Sequence, residues 1–254
     1  MRKNKVIRRY ILSAGRTGTV FLTHLLNTVE GVKAVHEPSP SRWQMMLANA
    51  RNDFGIGGSL LRSWFNRTRC LLHDKGIGDG HAFIELNPFL CALSDLIPED
   101  GVETRVVHLV RHPEEWAASM SVFKASTRYR HVIDYIPFAK PYPAPRPEGW
   151  SHLSEFEKAL WRWRWCNERL LALSKSATDF HTVHSEDLFG EDLEKRDTAS
   201  KALFEGLALP GGFPQDFADS ERHRNARPKG DIEKPQGAVV RICGPLAAEL
   251  GYDV

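Results

Sequence analysis

The chain has 254 residues, 42% of them hydrophobic and 26% charged, and a net charge of +2. That length and composition suit one α/β domain with a core large enough to need no disulfide or metal staple. The near-balanced charge argues against a nucleic-acid coat and against a polybasic membrane anchor. Cys70, Cys91, Cys166 and Cys243 are widely spaced with no C-x-x-C pair. This argues against a zinc site and a disulfide framework, and fits a reducing cytoplasm. The N-terminus is basic (Arg2, Lys3, Lys5, Arg8, Arg9), but the apolar run after it is too short for a signal peptide or a membrane span.

In chain order, residues 6–13 read as a first, buried strand. A tight turn with Gly15 and Gly18 follows, then a helix with Phe21, Leu22, Leu25 and Leu26 on its apolar side. Val32, Ala34 and Val35 form a short second strand, which Pro38 ends by holding Glu37 extended. Strand, helix and strand in so few residues is the rhythm of a parallel sheet. Residues 39–52 predict a helix with Trp43, Met46, Leu47 and Ala50 on one side. The glycine-punctuated stretch 54–80 gives no clear period. Residues 82–86 predict a third strand closed by Asn87-Pro88, and 88–96 a short helix.

Residues 104–110 are the clearest buried strand, and they run into Arg111-His-Pro-Glu-Glu-Trp-Ala-Ala-Ser-Met120. Pro113 suits a first helical turn, and Glu114 and Glu115 suit the positive end of its dipole. The proline-rich stretch 138–150 reads as an exposed loop or lid. Residues 154–176 predict a long helix, because Phe156, Leu160, Trp163, Asn167 and Leu170 recur at helical spacing; this stripe reads as core. A strand over 179–184, the segment 185–189, a last helix over about 195–207 and a basic tail around 222–229 complete the chain. The whole predicts a single α/β domain over 1–254, with a mainly parallel sheet and helices on both faces.

The first turn, Ser13-Ala-Gly-Arg-Thr-Gly-Thr19, has the features of an anion cradle. Free backbone N–H groups and the positive end of a helix dipole meet there. Arg16 adds a charge, and Thr17 and Thr19 add hydroxyl donors. The turn lacks the Gly-Lys-Ser/Thr that grips Mg–ATP, and it lacks a G-x-G-x-x-G fingerprint. It is built to hold phosphate without being built for Mg–ATP. Arg111 supplies a second signal, at the strand edge where parallel α/β sheets bind ligands. Ser119, seven residues beyond His112, points roughly the way His112 and Glu115 do. Arg111 and Ser119 are thereby candidates to grip one anion.

Together, the G-x-T-G-T turn and the Arg111, Pro113, Ser119 arrangement resemble the sulfotransferase family, a P-loop-like fold that uses 3′-phosphoadenosine 5′-phosphosulfate as donor. The resemblance implies that Gly15, Arg16, Thr17, Gly18, Thr19 and Val20 form the 5′-phosphosulfate site, and that Arg111 and Ser119 grip the 3′-phosphate. It implies no metal. Arg16 stands where many members carry Lys, and Arg111-His112-Pro113 replaces the usual Arg-Asp/Asn-Pro. Val183-His-Ser-Glu-Asp-Leu188 resembles the family's strand ending in Tyr-Glu-Asp-Leu, and Arg227-Pro-Lys-Gly230 its late basic-glycine loop.

Sulfuryl transfer to a hydroxyl or amine needs a base. Glu37, at the end of the second strand, is the first candidate, provided that burial raises its pKa. His36 is the rival. Strand alternation is expected to send the two side chains to opposite faces. Arg16 is expected to offset charge on the leaving phosphate oxygen. The acceptor, a small molecule or a glycan, is left open among carbohydrate, lipid-linked sugar, phenol and small alcohol. A degenerate P-loop kinase or hydrolase, and a nucleotide-binding module without chemistry, stand as alternatives.

Overall fold

The computed structural model describes residues 6–78, 81–99, 101–122, 143–213 and 232–254. Five strands form one sheet: β1 (Ile7–Leu12), β2 (Val32–His36), β3 (Ala82–Leu86), β4 (Glu103–Val110) and β5 (Asp179–His184). Their order is β2-β3-β1-β4-β5 and every pairing is parallel. Among the described residues the helices are α1 (Thr19–Leu26), α2 (Ser41–Phe54), α3 (Gly58–Gly78), α4 (Pro113–Ser121), α5 (Glu155–Leu173), α6 (Ser185–Phe189), α7 (Leu193–Gly206) and α8 (Ala238–Glu249). A 3-10 helix covers Pro88–Leu96.

Strand alternation divides the apolar residues between two cores. Tyr10 and Leu12 of β1 and Val106 and Val110 of β4 point into one, packed by α2, α3, α4, α5 and α8. Ile11, Ile84, Leu86, Val107, Leu109 and Val183 point into the other, under α1, α6 and α7. Because all five strands run the same way, their carboxyl ends open onto one edge. That edge carries the first turn, Glu37, Asn87 and Arg111.

The stripe Phe156, Leu160, Trp163, Asn167 and Leu170 is buried, as its spacing predicts. Helix α2 forms where expected, but with the opposite side inward. Trp43 is 64% and Leu47 45% exposed, while Ser41, Gln44, Met45, Ala48 and Asn49 are buried. The buried side is partly polar because it meets polar side chains of α3: Gln44 Nε2 donates to Thr68 Oγ1 at 3.0 Å, and Arg69 Nη2 to Ser41 Oγ at 3.1 Å. Most of the unassigned stretch 54–80 is α3. The helix over 195–207 is not the last, since α8 follows it with Ala238, Ile242, Cys243, Leu246 and Ala247 buried. The Gly244-Pro245 pair inside α8 hides its period in the sequence. Among the described residues no helix is long and apolar enough to cross a membrane.

His108 sits in the centre of the sheet and is fully buried. Its Nε2 pairs with Asn167 Oδ1 at 2.8 Å. Burial holds its pKa down to about 4 from 6.5, so the folded ring stays neutral where the unfolded one is protonated. Stability that is fully present above pH 6.5 is therefore lost as pH falls towards 4, by up to about 3 kcal/mol. Urea unfolding across that range is expected to show this slope, and His108→Gln is expected to flatten it.

Candidate active site

The first turn is held by unusual backbone and by α4. Gly15 and Gly18 both have φ 85°, and Arg16 has φ 55°. Gly18 is required twice over: the left-handed conformation disfavours side chains, and a Cβ there would lie 2.6 Å from Phe189 Cε2. Trp116 Nε1 donates to Gly15 O at 2.5 Å, and Arg111 Nη1 to Arg16 O at 3.3 Å. With its carbonyls fixed by these donors, the turn leads into α1. The first backbone bond into α1 runs from Leu22 N to Gly18 O at 2.9 Å. The N–H groups just before Leu22 have no intrahelical acceptor, and the first turn of α1 has neither a side-chain cap nor an acidic residue. Thr17 is 3% exposed, and its Oγ1 has no hydrogen-bond partner among the described residues. A buried, unspent hydroxyl beside unspent amides suits an anionic ligand with oxygen acceptors.

The second motif adjoins the first. Pro113 opens α4, with Glu114 and Glu115 in its first turn. Arg16 Nε donates to Ser119 Oγ at 3.3 Å, so Ser119 touches the turn directly. Arg111 Nη2 pairs with Glu115 Oε2 at 2.9 Å on the exposed surface. Arg16, Arg111 and Ser119 are thus within one hydrogen-bonded group. His112 N donates to Glu186 Oε1 at 2.6 Å, and its ring meets Tyr252 edge-on at 5.2 Å. With His112 in the usual Asp/Asn position, a carboxylate from α6 serves this backbone amide. His184, at the usual aromatic position, stacks edge-on against Tyr252 at 4.9 Å, and its Nε2 meets Leu250 O at 2.7 Å.

The third part corrects the expected alternation at the end of β2. Glu37 has φ 46°, so the chain leaves the strand conformation and swings its carboxylate back towards its neighbour. His36 Nε2 and Glu37 Oε1 are 4.0 Å apart. His36 Nε2 also meets Thr19 Oγ1 at 3.0 Å, which ties β2 to the first turn. Glu37 N donates to Leu86 O at 3.0 Å. The Glu37 side chain is 35% exposed. Loss of water around it raises its pKa above 4.5, and the charge of Arg42 opposes that rise. Burial, then His24, holds the pKa of His36 below 6.5.

Val20, the second residue of α1, is 48% exposed. Arg227-Pro-Lys-Gly230 and the proline-rich residues 138–142 lie outside the described residues. Among the described residues no cluster of three or more His, Cys, Asp and Glu side chains is placed to hold a metal ion. Trp116 and Tyr252, which no sequence motif marks, hold this site together with Glu186, which the 183–188 match includes without a role. Trp116 stood in plain view beside Glu115, but nothing local marks an indole as the anchor of a turn a hundred residues away.

No family model matches the chain, and no curated protein is significantly similar to it in sequence. Solved structures do match. The chain is similar to the sulfotransferase domain from the Synechococcus PCC 7002 olefin synthase, with a TM-score of 0.56 and 16% identity, covering 99% of this chain and 97% of that one. It is also similar to the sulfotransferase domain from the curacin biosynthetic pathway, with a TM-score of 0.54 and 13% identity, covering 98% of both chains. The chain has the fold of these sulfotransferase domains over essentially its whole length.

Proposed function

We propose that the protein is a sulfotransferase that uses 3′-phosphoadenosine 5′-phosphosulfate and passes a sulfuryl group to an acceptor hydroxyl or amine. The observation that carries this reading is the junction of the two phosphate motifs. Arg16 reaches Ser119, and Arg111 reaches the Arg16 carbonyl, on the carboxyl edge of a sheet whose fold is that of sulfotransferase domains. The buried Thr17 hydroxyl and the amides at the start of α1 fit a phosphosulfate; Arg111 and Ser119 fit a second phosphate.

When bound, the donor supplies an activated sulfuryl group on a phosphate oxygen. Glu37 accepts the proton of the acceptor as the new bond to sulfur forms. Arg16, Thr17, Thr19 and the amides of Gly18 and Val20 hold the phosphosulfate end, while the Gly15 amide shapes the turn by donating to Ser13 Oγ at 3.1 Å. Arg16 offsets the negative charge left on the phosphate oxygen when its bond to sulfur breaks. Arg111 and Ser119 anchor the far end and so orient the reacting one. Glu37 is favoured over His36 because the His36 Nε2 already meets Thr19 Oγ1 at 3.0 Å. The acceptor is a small molecule or a glycan.

The test is calorimetry with adenosine 3′,5′-bisphosphate, followed by a mass-spectrometric screen of hydroxyl and amine acceptors with the phosphosulfate donor. Micromolar binding without added metal, and an acceptor gaining one sulfuryl group, are expected. Magnesium-dependent ATP binding with no affinity for the bisphosphate would overturn the reading in favour of a kinase or hydrolase. Bisphosphate binding with no transfer across the whole panel would reduce it to a binding module.

A further inference from the structure

Beneath the turn that carries Glu37 lies a set of polar side chains fully withdrawn from solvent. Ser41, Arg69, His73, Glu85 and Asn87 are each 0% exposed. Arg69 Nε stands 3.1 Å from Glu85 Oε2, and His73 Nε2 lies 3.5 Å from the same oxygen. Asn87 Nδ2 donates to Glu85 Oε1 and to Ser41 Oγ, each at 2.7 Å. Arg69 Nη2 donates to Ser41 Oγ at 3.1 Å, and Ser41 Oγ donates to Pro38 O at 2.5 Å. A carboxylate thus sits inside a parallel sheet, opposite Tyr10 on β1 and Val35 on β2, where apolar residues are the rule.

Stability alone is a poor account of this arrangement. A buried ion pair often contributes less than apolar side chains of the same volume would. Its geometry points instead at the turn. Glu37 stands in a backbone conformation that costs about 1–3 kcal/mol and persists only when its surroundings over-determine it. Glu37 N is fixed by Leu86 O, from β3. On the other side of the turn, the Pro38 carbonyl is fixed by Ser41, through both its hydroxyl and its amide at 3.0 Å. The Ser41 hydroxyl can donate to Pro38 because Arg69 and Asn87 occupy its acceptor side. The chain of contacts therefore runs from Glu85 through Arg69 and Asn87 to Ser41, and from Ser41 to the residue next to Glu37.

We propose that Ser41, oriented by Asn87 and by the Arg69–Glu85 pair, is a positioning residue that holds the Glu37 carboxylate beside His36 and the first turn. The proposal rests on the reading of Glu37 as the base. The charged or titratable groups that act on Glu37 are His36 on β2 and Arg42 on α2.

Two variants test it. Ser41→Ala removes the hydroxyl, and Arg69→Met with Glu85→Leu removes the ion pair together, so that neither charge is left buried alone. Each is expected to lower kcat about 10–100-fold, the scale of a roughly 1 Å misplacement. KM for the phosphosulfate donor is expected to stay within about twofold, since that site is not touched. Ser41→Thr, which keeps the hydroxyl, is expected to restore kcat to within about threefold. The paired variant is expected to keep its Tm or raise it while still losing kcat. A readout independent of turnover is the carbon-13 NMR titration of the Glu37 carboxyl. In Ser41→Ala its midpoint is expected to fall towards the ordinary value as the side chain relaxes into water. Unchanged kcat and unchanged Glu37 titration in either folded variant would overturn the proposal. So would a fall in kcat matched by a rise in donor KM and a lower Tm, the pattern of general loosening. If the wild-type protein transfers no sulfuryl group, the base reading fails, and the titration still decides whether Ser41 sets the position of Glu37.

Discussion

Glu37→Gln is expected to lower turnover about 10²–10⁴-fold, the usual contribution of a positioned base. Affinity for adenosine 3′,5′-bisphosphate is expected to stay within about twofold, because Glu37 follows β2, whereas the residues proposed to grip the phosphates lie in the turn between β1 and α1 and where β4 meets α4. The amide keeps the size of the side chain and removes its charge and its proton affinity. The pH profile carries the same assignment. Glu37 acts as the carboxylate, and partial burial makes the folded protein hold its proton more tightly than the ordinary 4.5. Turnover therefore falls on the acid side at a pH above 4.5, and that limb disappears in Glu37→Gln. His36, if it were the base, would titrate below its ordinary 6.5, so the position of the limb alone does not separate the two. The paired variants do. His36→Gln is expected to cost about tenfold or less, through its 3.0 Å contact with Thr19, and to keep the limb. Retained turnover in Glu37→Gln would remove it from the role.

Much of the fold was legible because the buried strands declare themselves. Residues 104–110 are apolar and β-branched, and they form β4 within a residue of the expected bounds. The strand-turn-helix-strand opening, the 82–86 strand and the tryptophan-bearing helix followed from local period and from glycine and proline punctuation. What failed was the phase of α2. Trp43 and Leu47 make the more apolar side, and period alone turns such a side inward. The fold instead turns Ser41 and Gln44 inward, because α3 brings Arg69 and Thr68 to meet them. A polar core is readable only when both halves of it are known, and the α3 half lay in the stretch that gave no period.

The site was legible in its charged residues and illegible in its supports. Arg16, Arg111 and Ser119 were chosen from two separate motifs, and the structure brings them within one hydrogen-bonded group. Glu37 was chosen by its place at a strand end. Its carboxylate lies beside His36 rather than on the opposite face, because strand alternation ends one residue before Glu37, whose φ is 46°. A proline at 38 forbids some conformations of Glu37, but it does not by itself announce a left-handed one. Trp116 and Glu186 act through backbone atoms of distant segments, and Asn87 through the side chain of Ser41, 46 residues away. Such contacts carry no local sequence signal.

Arg111→Ala is expected to weaken binding of adenosine 3′,5′-bisphosphate about 10–100-fold, the value of one or two charge-assisted bonds to phosphate. In the structure the Arg111 guanidinium is paired with Glu115, four residues on, with both side chains partly in water. A pair of that kind contributes only about 0.3–0.5 kcal/mol, so a phosphate displaces the carboxylate readily. Glu115→Gln is accordingly expected to tighten binding about twofold, and less at high salt. Arg111 has a second contact, with the Arg16 carbonyl at 3.3 Å, through which its loss could loosen the first turn instead. The two effects separate by ligand. Adenosine 5′-monophosphate lacks the 3′-phosphate but presents the same 5′ end. If Arg111 grips the 3′-phosphate, Arg111→Ala weakens the bisphosphate and barely changes the monophosphate, and the preference between them collapses. If both weaken alike in calorimetry, Arg111 serves the turn and not the second phosphate, and the two-phosphate site loses its anchor.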